Sequence, residues 1–206
     1  MPGPGLLALT LLPLALGLAV SVVCRGRLLT AAPVRGLAVV PVVVLASIAA
    51  ARLEGVVPIP DAALNRLLAG TILAACATFL VRNRRQPSRL MRWGTGLVAA
   101  GAAANAFATF VYGFMPVLAA SANAAGGSLA SGDHPDPQYV AVDNSHLLAV
   151  VLGDVLPVPR LDAVVSLGDL LLVPGGTILL AYFLVPLVPT HGARELVPAV
   201  HPRGER

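Results

Sequence analysis

Long apolar stretches alternate along this chain with short clusters rich in arginine, or in acid and proline. Five stretches stand out, over residues 6–24, 37–52, 65–81, 93–114 and 167–188. An α-helix rises about 1.5 Å per residue, so roughly 20 residues cross a hydrocarbon core about 30 Å thick. The shorter stretch 37–52 is flanked by Arg35 and Arg52, whose side chains can snorkel to the interface, and 65–81 is entered through Asp61 to Arg66. The pattern predicts an all-α fold, an integral membrane bundle of five transmembrane helices in a single domain over residues 1–190. Pro13 is expected to kink the first helix, and Met115-Pro116 to end the fourth. Pro174-Gly175-Gly176 is expected to kink or unwind the fifth. Residues 115–165 form one long extracytoplasmic loop in this reading, with Ala119–Gly132 as flexible chain. His146–Leu152 is expected as a short amphipathic segment on the outer leaflet. Residues 191–206 are a cytoplasmic tail.

Charge orients the bundle. Arg25, Arg27 and Arg35, then Arg82, Arg84, Arg85, Arg89 and Arg92, then the C-terminal arginines, fall at alternate ends of the spans. The positive-inside rule puts such short arginine-rich loops in the cytoplasm, which predicts an N-out, C-in topology. On that topology 11 of the 14 arginines face inward, and eight of the ten acids, every aspartate among them, face outward. Trp93 falls at the inner interface. The net charge of +4 is therefore a topology signal suited to anionic inner-leaflet lipid. No basic stripe interleaved with aromatics accompanies it, so nucleic acid is not among the expected partners.

Composition agrees. Of 206 residues 57% are hydrophobic and 12% charged, with a mean hydropathy of +0.83, values that leave too little charge for a soluble surface. Every basic residue except the four histidines is arginine, and alanine, glycine and proline abound. That bias suggests a GC-rich bacterial genome, and so a bacterial cytoplasmic membrane. Cys24 and Cys76 fall near the cytoplasmic half of helices, where a structural disulfide is not expected. Cys24 lacks a small residue before it and the segment lacks a basic start, so the first helix is expected to be retained.

The candidate chemistry lies in Asp154 and Asp169, both at the outer membrane boundary. Two carboxylates in a partly desolvated site cannot both ionise easily, so one pKa rises. One can then activate water while the other supplies a proton, which is the chemistry of an aspartyl peptidase. A structural reading stands beside it. Ser166-Leu-Gly-Asp169 has capping-box spacing, and Asp154 can bond its own turn. Asn105, Thr109 and Tyr112 share one face of the fourth helix and could line a binding cavity or bond a neighbouring helix. His134, Asp136, Asp143 and His146 match no metal-site spacing, and neither metal nor cofactor is expected.

Gly-Arg27-Leu, Asn105 followed by Gly113-Phe-Met115-Pro116-Val, Leu-Gly153-Asp154-Val-Leu-Pro157-Val-Pro159 and Ser166-Leu-Gly168-Asp169 together resemble an uncharacterised family of small bacterial multi-span membrane proteins, a domain of unknown function. That resemblance covers most of the chain and implies a fold but no activity. A fainter likeness is to signal peptidase II, the lipoprotein-processing aspartyl protease. Leu-Gly-Asp154-Val is similar to its first aspartate element, Val-Ser166-Leu-Gly-Asp169 to its second, and Asn105 to its asparagine. Ala108 and Thr109 stand where that family has Asp-Arg. The likeness implies catalysis by Asp154 and Asp169 on a lipidated substrate at the outer leaflet. Three function classes thus remain: a structural or assembly subunit packing on another membrane protein, the aspartyl hydrolase, and a carrier for a small or lipidic molecule. The lipid bilayer is a partner in all three.

Overall fold

The computed structural model describes residues 15–29, 31–36, 60–126, 139–142, 147–159 and 163–187. The expected span 37–52, residues 6–14 with Pro13, the loop segments 127–138 and 143–146 with all four metal-ligand candidates, and the tail 191–206 lie outside them. Helix α1 covers 15–23 and α2 Arg25–Leu29. Three long helices follow, α3 (Asp61–Asn83), α4 (Arg89–Tyr112) and, after a sheet region, α7 (Leu167–Leu184). All three are long and apolar enough to cross a membrane.

Their ends do not coincide with the limits of the apolar runs. α3 begins at Asp61 and α4 at Arg89, each one turn earlier than the apolar runs that mark them. Ser88 caps α4 by accepting from Met91 N, and Gly113 closes it in the left-handed region at φ 83°. Gly113 is doubly required there, because a Cβ would also lie 2.9 Å from Ala62 Cβ on α3. Thr71, Thr78, Thr95, Thr109 and Thr177 each return the side-chain hydroxyl to the carbonyl four residues earlier. A hydroxyl satisfied inside its own helix can face hydrocarbon without an unmade bond.

Helices α3 and α7 each run antiparallel to α4. α3 meets α4 through the Arg66 side chain, whose Nε donates to Phe110 O at 3.2 Å. α4 meets α7 along a seam of glycines spaced seven apart on both, Gly94 and Gly101 against Gly175 and Gly168. A Cβ at Gly101 would sit 2.5 Å from Gly168 O, and one at Gly175 2.7 Å from Val98 N. Small residues let the backbones approach, as in membrane helix pairs. Of the kink or unwinding expected at Pro174-Gly175-Gly176, the unwinding does not occur: the helix runs unbroken through all three. Gly175 serves close packing there, and contact with α4 outweighs its low helix propensity.

The all-α expectation also needs amending at the end where α4 stops and α7 starts. Strands β1 (Met115–Leu118), β2 (Tyr139–Val142), β3 (Asp154–Val158) and β4 (Ala163–Ser166) form a sheet of order β2-β1-β3-β4. β1 is parallel to β2 and β3, and β3 is antiparallel to β4. Two six-residue helices accompany it, α5 (Ala119–Ala124) in the stretch expected as flexible chain and α6 (Leu147–Leu152) within the stretch expected as a short amphipathic segment. The strands are runs of four or five residues rich in valine, too short for a periodic signal to show.

The opposite end gathers Arg25, Arg27, Arg35, Arg82, Arg84, Arg85, Arg89 and Arg92, while Asp61, Asp154 and Asp169 lie at the sheet end. A polar clamp holds the arginine end together. Asn83 accepts from Arg35 N at 3.0 Å and donates to Arg35 O at 2.8 Å, so its amide pairs with that residue as a strand would. Gln86 donates to Ala32 O at 2.9 Å, and the Ser88 hydroxyl to Arg27 O at 3.0 Å. Below the clamp, Leu28, Val34, Phe79, Met91, Ala99, Ala181 and Val185 form the apolar core.

Candidate functional site

Asp169 enters the site as the fourth residue of a capping box. Ser166 ends β4 and caps α7: its Oγ accepts from Asp169 N at 3.0 Å, and its own N–H donates to Asp169 Oδ2 at 2.9 Å. Asn105 reaches across from α4, its Nδ2 donating to Asp169 Oδ1 at 2.9 Å. The Ser166 hydroxyl carries one proton and has two acceptors in reach, Asp169 Oδ2 at 2.8 Å and Asn105 Oδ1 at 2.9 Å. Serine, aspartate and asparagine thus lock the start of α7 to the last third of α4. Gly168 makes the lock possible, because a Cβ there would overlap Asn105 Oδ1.

Asp154 arrives from the sheet. It opens β3, pairs with Ser166 across the antiparallel ladder and with Val117 across the parallel one, beside an irregularity in register between Asp154 and Leu156. Gly153 before it has no room for a side chain, since a Cβ would lie 2.5 Å from both Ala149 O and Pro116 O. The Ser121 hydroxyl on α5 bonds Val155 O just beyond. Asp154 is only 8% exposed, and its Oδ1 is buried without a hydrogen-bond partner. Burial pushes this carboxyl, which lies outside the membrane-spanning segments, up from 3.8 to about 7, and the Asp169 charge adds to the rise. A carboxyl that must be desolvated beside another carboxylate keeps its proton longer.

The structure therefore brings Asp154, Asp169 and Asn105 to one junction, with Ser166 as a fourth member. Sequence reading had placed Ser166 only as a cap. The seven-residue glycine spacing that sets α4 against α7, and so Asn105 against Asp169, was the available signal. Thr109 is engaged within α4, its hydroxyl on Asn105 O at 3.1 Å and 3.9 Å from Met115 Sδ. Tyr112 lies half-buried at the end of the same helix. Asp154 does not behave as a turn residue bonded in solvent, and Asp169 does make the backbone contact that capping requires. An open groove of about 720 Å³ lies at the other end of α4, lined by Arg89, Arg92, Trp93, Gly96, Leu97 and Ala100, and takes no part in this site. Among the described residues no group of three or more His, Cys, Asp or Glu side chains is placed to hold a metal ion.

Fold and site define a largely helical protein of a kind suited to membranes, capped at one end by a small sheet whose Asp154 lies beside Asp169 in the first turn of α7. The chain belongs to DUF5317, a family of unknown function, whose model matches residues 31–182 and thus every residue of the site. No curated protein and no solved structure matches it, so the likeness to signal peptidase II rests on the quoted residues alone.

Proposed function

We propose that this is a multi-pass protein of the bacterial cytoplasmic membrane, with five spans, N-out and C-in. Support comes from the gathering of eight arginines at one end and of the described acids at the other, which matches the positive-inside rule. On this orientation the sheet and the carboxylates face the extracytoplasmic side.

The function the geometry favours is hydrolysis at the outer membrane boundary by Asp154 and Asp169, on a lipidated or membrane-held peptide. One observation carries it: a nearly buried carboxyl raised to about 7, unpartnered at Oδ1 and coupled to a second carboxylate. An acid whose pKa lies near the working pH transfers protons best. Asp169 takes a proton from water as the water oxygen bonds the scissile carbonyl carbon, and Asp154 protonates the carbonyl oxygen. Asp169 then gives its proton to the leaving nitrogen as the C–N bond breaks, and Asp154 recovers one from the collapsing intermediate. Asn105 and Ser166 act as positioning residues that hold Asp169.

A second reading, a structural or assembly subunit, is favoured by the same hydrogen bonds, since both Asp169 oxygens are engaged in capping α7 and tying it to α4. The full chain in nanodiscs, given a fluorescent diacylglyceryl-cysteine peptide, distinguishes them. The hydrolase reading expects cleavage that Asp154→Asn and Asp169→Asn each abolish while the helical circular dichroism persists. Cleavage unaffected by Asp154→Asn, or none by the natural chain, rejects it in favour of the assembly role.

A further inference from the structure

The groove at the arginine end has a polarity that runs along α4. Its lining residues fall on one helix face through the first three turns, with Arg89 and Arg92 at the head, Trp93 next, and Gly96, Leu97 and Ala100 beyond. Both guanidiniums are exposed, and among the described residues no carboxylate lies at this end of the molecule to pair with them. Trp93 is 68% exposed, where an interfacial tryptophan belongs. Gly96 is the informative member. Gly94 and Gly101 are glycine because α7 presses on them, whereas a Cβ at Gly96 would meet nothing within 4 Å. A mid-helix glycine costs about 1 kcal/mol against alanine, and among the described residues no helix contact accounts for this one. Its missing side chain keeps the groove open below the arginines.

We infer that this groove binds an anionic phospholipid of the cytoplasmic leaflet. The phosphodiester lies between Arg89 and Arg92, whose planar donors match phosphate oxygens in pairs, and an acyl chain descends past Trp93 over Gly96 to Ala100. Cation, amphipathic ring and apolar floor follow one another in the order in which a phospholipid presents phosphate, glycerol ester and hydrocarbon. The inference rests on the membrane orientation proposed above and is independent of the hydrolase reading.

Trp93 is the only tryptophan of the chain, so its fluorescence reports this groove alone. The full chain is reconstituted in vesicles of brominated phosphatidylcholine containing increasing brominated phosphatidylglycerol, whose bromines quench on contact. The expected result is roughly a thirtyfold preference for the anionic lipid, the order expected of two arginines at a membrane surface. Arg89→Gln with Arg92→Gln should remove it. Gly96→Leu, which fills the groove without altering charge or helix propensity adversely, should weaken quenching by both lipids. Arg84→Gln with Arg85→Gln, an equal loss of charge at the same end, should leave the preference intact. Loss of preference in that control as well, or no preference in the natural chain, overturns the site in favour of diffuse surface charge. Competition by millimolar inorganic phosphate overturns the lipid in favour of a free anion. Absence of quenching even by phosphatidylcholine would overturn the membrane reading itself.

Discussion

Replacing Asp154 with asparagine should make the protein more stable at pH 8 and leave it nearly unchanged near pH 4. The folded carboxyl is raised to about 7 against 3.8 for the free group. Between those values the folded state holds a proton that the unfolded chain has released. Stability contributed by this group is therefore complete below about pH 4, falls as pH rises, and is lost once the folded carboxyl ionises near 7. A rise of this size corresponds to at most about 4 kcal/mol, at roughly 1.4 kcal/mol per pH unit. Residual solvent screening reduces that, and about 2 kcal/mol is the working expectation. Asparagine keeps the shape and cannot ionise, so it removes the penalty above pH 7. Unfolding of the natural chain and the variant, followed by circular dichroism in a mild detergent between pH 4 and pH 8.5, measures the difference directly. Carboxylates remote from Asp154 are common to both proteins, and their contributions cancel. Parallel stability curves for the two would show that Asp154 ionises in the fold as freely as in water, and would refute both the desolvation argument and the acid role built on it.

Gly168→Ala should destabilise the bundle by about 2–3 kcal/mol, because the added methyl overlaps Asn105 Oδ1 and lies 2.7 Å from Gly101 O, forcing α4 and α7 apart. Adding Asn105→Ala should recover part of that loss, since only the side-chain clash is relieved; the same unfolding assay reads both, and strict additivity would mean that the two residues do not meet. Asn83→Ala should cost about 2–3 kcal/mol by orphaning the Arg35 backbone, and trypsin should then cut after Arg35 faster than in the natural chain. An unchanged cleavage rate would mean that the clamp does not hold that loop. For orientation, Leu156→Cys, at an exposed position of β3, should react with an impermeant maleimide on intact cells, and Arg85→Cys only after permeabilisation. The reverse pattern would invert the topology.

Much of this molecule is legible in one dimension because hydropathy and charge act locally. An apolar run about as long as a bilayer is thick must become a helix, since only a helix satisfies its own backbone in hydrocarbon, and α3, α4 and α7 appear where those runs stand. The capping box at Ser166 and Asp169 was also readable, being a pattern four residues long. The sheet was not, because β1 and β2 are four-residue strands whose pairing joins Met115 to Tyr139 across 24 positions, a register no local pattern encodes. Both ends of α4 and the start of α7 went to caps, and Pro174 stayed inside α7 because contact along the glycine seam outweighed its local preference. The candidate site divides in the same way. The residue types and their place beside the ends of the apolar runs follow from the sequence alone. Only the antiparallel crossing of α4 and α7, with β3 laid beside β4, brings Asn105 to Asp169, buries Asp154 beside them and raises its pKa. Contacts between residues tens of positions apart depend on how whole elements pack, and packing is settled in three dimensions.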